Sequence, residues 1–171
     1  MITGRVWKFG DNISTDLMLP GSVVYGTEEE QKALVFSANR PGWVNQVKPG
    51  DIIIGGQNFG TGSGRPAARS FVNIGIACLL VESVNGLFLR NSVNFGLPTM
   101  ECAGVFATFE EGDIAEVDFE RMTVRNLTRN VAVLDGAPLP QKLREIMLGG
   151  GLFPQLEAQG YVSPPRKKKP A

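Results

Sequence analysis

The chain has 171 residues, 43% of them hydrophobic and 20% charged, which excludes a disordered polymer and suits a single globular domain. Lysine and arginine together number 17, as do aspartate and glutamate, so no net field draws the chain to nucleic acid or to an anionic membrane. Histidine is absent, removing Ser-His-Asp triads and most zinc sites, and no apolar run reaches the length of a bilayer span.

Without a basic segment followed by an apolar one at the start, a cytoplasmic location is expected. Residues 2 to 9 alternate apolar and polar side chains and predict a first strand. Gly10 to Asp16 is a turn followed by a polar cluster, in which Asp11 and Asn12 read as turn formers. Asp16 directly precedes Leu17-Met18-Leu19 and reads equally as a helix cap or a functional acid. Gly21 to Gly26 is a glycine-bracketed loop that exposes Val23, Val24 and Tyr25 as a packing lid or a contact surface. Glu28-Glu29-Glu30 complements the dipole of a predicted helix over 28–39, which Pro41-Gly42 stops.

The most informative stretch follows. Residues 50–56, Gly-Asp-Ile-Ile-Ile-Gly-Gly, predict a buried strand, and 67–77, with Phe71, Ile74 and Ala77 at helical spacing after Pro66, predict a helix. Between them lies Asn58-Phe59-Gly60-Thr61-Gly62-Ser63-Gly64-Arg65. A glycine-rich bend entering a helix aims free N–H groups at one point and makes an anion-binding corner. On it, Ser63 offers a hydroxyl and Arg65 a planar fork matched to a carboxylate. The residues alone leave a second reading open, an ordinary tight turn with Ser63 as helix cap and Arg65 paired on the surface. No Gly-Lys-Ser/Thr follows, so the loop is not a Walker A sequence, and a ligand other than a nucleotide is expected.

Ala77 to Val81 predicts a strand covered on both faces, with Cys78 a small buried hydrophobe. Asn85 to Asn94 predicts a helix whose Arg90, Asn91 and Asn94 face a ligand or simply solvate it. Residues 100–107 predict a strand, 112–118 and 122–127 a hairpin, and 143–148 a short helix ended by the flexible break Gly149-Gly150-Gly151. The domain is set at residues 1–155. Residues 156–171, with the run Arg166-Lys167-Lys168-Lys169 between prolines, are taken as a solvated, poorly ordered tail, since no aromatic residues interleave its bases as a nucleic-acid patch would require.

Taken together, Gly10-Asp11-Asn12-Ile13-Ser14-Thr15-Asp16 with Pro20, the Asn58 to Arg65 loop, Ser83 through Phe88-Leu89-Arg90-Asn91 to Asn94-Phe95-Gly96-Leu97, Arg125 to Thr128 and Gly149 to Leu152 resemble one family. It is the small subunit, or swivel domain, of the aconitase and isopropylmalate dehydratase superfamily. The resemblance runs from about Gly4 to Leu152 in order and spacing. It implies an α/β fold, a single swivelling β/β/α domain.

It further implies half of a hydro-lyase site. A separate large subunit would hold a [4Fe-4S] cluster acting as Lewis acid on the substrate hydroxyl, and this chain, lacking a three-cysteine motif, would bind no iron itself. Ser63 would be the catalytic base, and Arg65 would bind substrate carboxylate. Gly64, Asp16, Val24 and Tyr25 would complete the substrate site. Tricarboxylate-handling relatives carry an arginine at the position aligned with Tyr25, so a malate-type dicarboxylate with an alkyl group is expected, such as 3-isopropylmalate or a smaller 2-alkylmalate. The chain departs from the family loop at Gly64, Pro66 and Ala67, where a serine, a glutamate and another polar residue are usual. Those departures motivate the alternative, a non-catalytic small-anion-binding or regulatory module on the same fold.

Overall fold

A computed structural model describes residues 1–163; the basic run of the tail lies outside the described residues. Strand β1 (Ile2–Phe9) is the seam of the molecule. Its second half pairs in parallel with β2 (Ile52–Gly55), Val6 opposite Ile52, and its first half pairs antiparallel with β5 (Ile114–Asp118), Ile2 opposite Val117. Adding β3 (Cys78–Val81) and β4 (Thr99–Glu101) on one side, and β6 (Thr123–Asn126) and β7 (Leu134–Asp135) on the other, gives the order β4-β3-β2-β1-β5-β6-β7.

The apolar runs of β2 and β3 are explained by burial on both faces. Ile53, Leu79 and Val81 enter one core with Trp7, Phe9, Phe36, Trp43, Phe59 and Phe71. Ile52, Ile54, Cys78 and Leu80 enter a second core with Val117, Val124 and Met147. The helices α1 (Thr15–Met18), α2 (Glu28–Ala33), α3 (Ala67–Asn73) and α4 (Gly86–Phe95) follow the parallel half. Both α2 and α3 end before their expected limits. Past α2 the chain turns at Phe36, whose φ of 56° sends its ring into the core between Phe9 and Phe71; past α3 it turns at Gly75.

The curl of the sheet brings its two ends together. The Ala137 amide, just past β7, donates to Glu101 O of β4 at 2.7 Å. A Cβ at Gly136 would lie 2.3 Å from Met100 Sδ, so a larger residue there would push the buried Met100 side chain aside.

Two expectations are corrected. The strand over 100–107 stops at Glu101, and α5 (Val105–Thr108) follows, because the Glu82 carboxylate accepts from the Gly104 and Phe106 amides and supplies that turn with its missing acceptors. The glycines after α6 (Gln141–Leu148) do not form a flexible break, since Gly151 is buried and its amide donates to Ile146 O at 2.9 Å. The boundary expected at 155 falls inside α7 (Leu152–Ala158).

Candidate active site

Three segments meet at the C-terminal ends of β1 and β2. The bend after β1 is tied to the bend after β2 by Asp11 Oδ1, which accepts from the Gln57 amide at 2.7 Å, and by Asn58 Nδ2, which donates to Asn12 Oδ1 at 3.1 Å. Asp11 and Asn12 are therefore turn residues that register the two bends. Phe59 is wholly buried against Phe88, which fixes the start of the glycine loop on α4.

The short helix α1 then grips the loop. Ser14 caps α1 with its side chain, while the Thr15 amide donates to Thr61 O at 2.7 Å and the Thr15 hydroxyl donates to Ser63 O at 2.9 Å. Gly62 takes a φ of 102°, and a Cβ there would lie 2.9 Å from Thr15 Oγ1; only glycine allows this clamp.

Arg65 is held by the same segment. Its Nε donates to Ser63 Oγ at 3.2 Å, its Nη1 to Leu19 O at 2.6 Å, and its Nη2 pairs with the Asp16 carboxylate. Asp16 therefore serves neither as the cap of α1, which is Ser14, nor as a lone acid; it orients a guanidinium whose remaining N–H groups stay available to a ligand. Ser63 is exposed and does not cap α3, whose N-cap is Pro66 without a side-chain hydrogen bond.

Ser63, Gly64, Arg65, Val24 and Tyr25 line one open cleft of about 370 Å³ together with Gly21. Asp16 joins it through Arg65. Arg65 supplies the one cationic lining among the described residues, and Val24 and Tyr25 contribute an uncharged stretch of the wall. Arg90, Asn91 and Asn94 do not line the cleft; the Arg90 Nε turns back to Gly86 O. Thr15 and Leu19 escape a reading by residue type, because their part in the site is a hydroxyl–carbonyl bond and a bare backbone carbonyl.

The two cysteines do not fit an iron–sulfur cluster. Both are buried, Cys78 within β3 and Cys102 just past β4. Burial pushes the Cys78 thiol up, and burial together with the Glu82 and Asp135 charges pushes Cys102 up to about 11, against the thiolate that iron requires. Among the described residues no group of three or more His, Cys, Asp or Glu side chains is arranged to hold a metal ion, and no helix is long and apolar enough to cross a membrane.

The aconitase C-terminal domain family matches residues 11–104, the span that contains all of these groups. The chain belongs to the aconitase C-terminal domain family. Within it, the isopropylmalate/citramalate isomerase small subunit of Methanocaldococcus jannaschii is 45% identical over 92% of this chain and 94% of its own length. The 3-isopropylmalate dehydratase small subunit of Halothermothrix orenii is 35% identical over 91% and 95%. A crystal structure of 3-isopropylmalate dehydratase from Methanocaldococcus jannaschii superposes with a TM-score of 0.86 at 30% identity, covering 93% of this chain and 95% of that one. This family membership gives the α/β swivel fold, and the matched span includes the Ser63–Arg65 corner.

Proposed function

We propose that the chain is the small subunit of a hydro-lyase that dehydrates and rehydrates an alkyl-substituted malate, 3-isopropylmalate or a smaller alkylmalate, in complex with a large subunit. The observation that carries this reading is the Arg65 guanidinium, fixed by Asp16 and Leu19 O with its Nε on the Ser63 hydroxyl. A free serine is a poor base. A cation donating to its oxygen stabilises the alkoxide and brings it within reach of proton transfer from carbon.

In this reading Ser63 Oγ takes the proton from the carbon next to the one bearing the hydroxyl as the C–O bond breaks and the hydroxyl leaves, helped by the Lewis-acid iron that the large subunit would supply, and it returns the proton to carbon when water adds back. The remaining Nη N–H groups of Arg65 hold one substrate carboxylate. Thr15 fixes the Ser63 peptide so that Oγ keeps its place beside Nε. Val24 and Tyr25, which offer no charge to a second anionic arm, face the alkyl group. The iron–sulfur cluster is assigned to the large subunit, because the cysteines of this chain do not fit it.

The full exposure of Tyr25 and the open cleft suit a site completed by another polypeptide. The retained pairing of Ser63 with Arg65 supports the catalytic reading over the anion-binding or regulatory module. Co-expression with a large subunit carrying three cluster cysteines tests it: the reconstituted pair should form the unsaturated diacid from isopropylmalate. Ser63→Ala should lower turnover by about 10²–10⁴ while the pair still assembles. Near-normal turnover of that variant would refute the assigned base.

A further inference from the structure

The two peptide carbonyls that flank Tyr25 end on one buried side chain. Gln31 lies in α2 and is 1% exposed. Its Nε2 donates to Val24 O at 3.1 Å and to Gly26 O at 3.3 Å, and its Oε1 accepts from Arg69 Nη2 at 3.3 Å. Both donors of the amide are spent on the cleft wall, and its acceptor on α3. Tyr25, between the pinned carbonyls, is left 99% exposed at the rim.

This arrangement links the two sides of the cleft. Arg69 belongs to α3, which begins at Ala67 shortly after the Ser63–Arg65 corner, so Gln31 ties the Val24–Tyr25 wall to the helix that follows the loop carrying the base. The helix that holds Gln31 is itself fixed by a capping box, in which the Thr27 hydroxyl accepts from the Glu30 amide and the Glu30 carboxylate accepts from the Thr27 amide. Burying an amide where a leucine would fill the space costs desolvation, and that cost is offset only by the hydrogen bonds the amide makes.

We propose that Gln31 is a positioning residue for substrate selectivity: it sets the distance between the Val24–Tyr25 wall and the Ser63–Arg65 corner, and so the alkyl length the cleft accepts. The inference rests on the cleft being the malate site. Gln31 touches no substrate; it acts through two carbonyls of the wall.

The test uses the assembled enzyme with Gln31→Leu, which keeps the volume, and Gln31→Glu, which keeps an acceptor for Arg69 but loses both donors to the wall. The ratio of kcat/KM for isopropylmalate over citramalate should move about tenfold in both variants, with kcat on the better substrate within about threefold of the parent. Hydrogen exchange of the Val24 and Gly26 amides should speed up while that of β2 stays unchanged. An unchanged ratio in Gln31→Glu overturns the inference even where the leucine variant fails to assemble. So does a lowered melting temperature with the ratio intact, the mark of a purely structural amide. Ser63→Ala run in parallel separates the two readings. If it abolishes turnover while both Gln31 variants keep the parental ratio, only the positioning role falls; if it does not, the site itself is misassigned and the inference loses its premise.

Discussion

Arg65 Nε donates to Ser63 Oγ at 3.2 Å, across a bend of one intervening residue, while both terminal nitrogens of the same guanidinium are anchored on α1 and the segment after it. The cation is thereby aimed from three directions. An ammonium cannot reproduce that geometry, since it lacks the fork that spans Ser63, Leu19 O and Asp16 at once. Arg65→Lys should lower kcat/KM by about 10- to 100-fold, with both a raised KM and a reduced kcat. Steady-state kinetics of the reconstituted pair check this, and unchanged constants would remove Arg65 from the site.

The hydroxyl of Thr15, 1% exposed, is bonded to the carbonyl of the serine itself. Thr15→Val keeps the shape and removes that bond, so kcat should fall about fivefold with KM little altered, whereas Thr15→Ser should stay near the parent. Equal losses in both variants would point to packing rather than to the hydroxyl.

Much of this site is legible in residue order because its parts are local: a strand, a glycine bend and a helix start place Ser63 and Arg65 together whatever the rest of the chain does. The wall residues Val24 and Tyr25 follow from family resemblance, and their cleft with Ser63 depends on α1 and α2 packing over the parallel strands. Gln31 is invisible in Glu28-Glu29-Glu30-Gln31, where the acidic run reads only as the dipole-complementing start of a helix. The short helix at Val105 is hidden for a similar reason: the carboxylate that caps it, Glu82, lies far back in the chain. Pairings between distant segments leave no local pattern, and the same holds for the two-residue β7.

Two buried carboxylates tie stability to pH. Burial pushes Asp51 up, but hydrogen bonds from Arg5, the Lys48 amide and the Trp7 indole outweigh it and hold the group below its usual 3.8. Asp113 follows the same logic, with burial opposed by the Glu110 amide, Asn126 and Arg129. Folded values below the unfolded ones contribute stability that is complete above the unfolded value and is lost as pH falls through the folded one. The melting temperature should therefore drop steeply below about pH 4. Asp51→Asn should cost about 2–3 kcal/mol at pH 7 and flatten that acid limb, as thermal melts across pH will show.

Gly64 stands where the family resemblance leads one to expect a serine, yet nothing about its place demands glycine. Its φ is outside the left-handed region, and a Cβ added there would meet nothing nearer than Leu87 Cδ2 at 3.9 Å. Gly64→Ser should leave stability within about 0.5 kcal/mol of the parent. Turnover should be retained; a collapse in kcat/KM with an unchanged melt would mean that substrate occupies the space above Gly64.

The hydrogen bond from Ala137 to Glu101 has a consequence away from the cleft. A sheet with two open margins invites pairing with any exposed strand nearby, and a protein built to dock against a different chain risks recruiting copies of itself instead. Here the margins are two and three residues long and are stitched to each other. Each margin therefore offers few free backbone groups to a neighbouring strand.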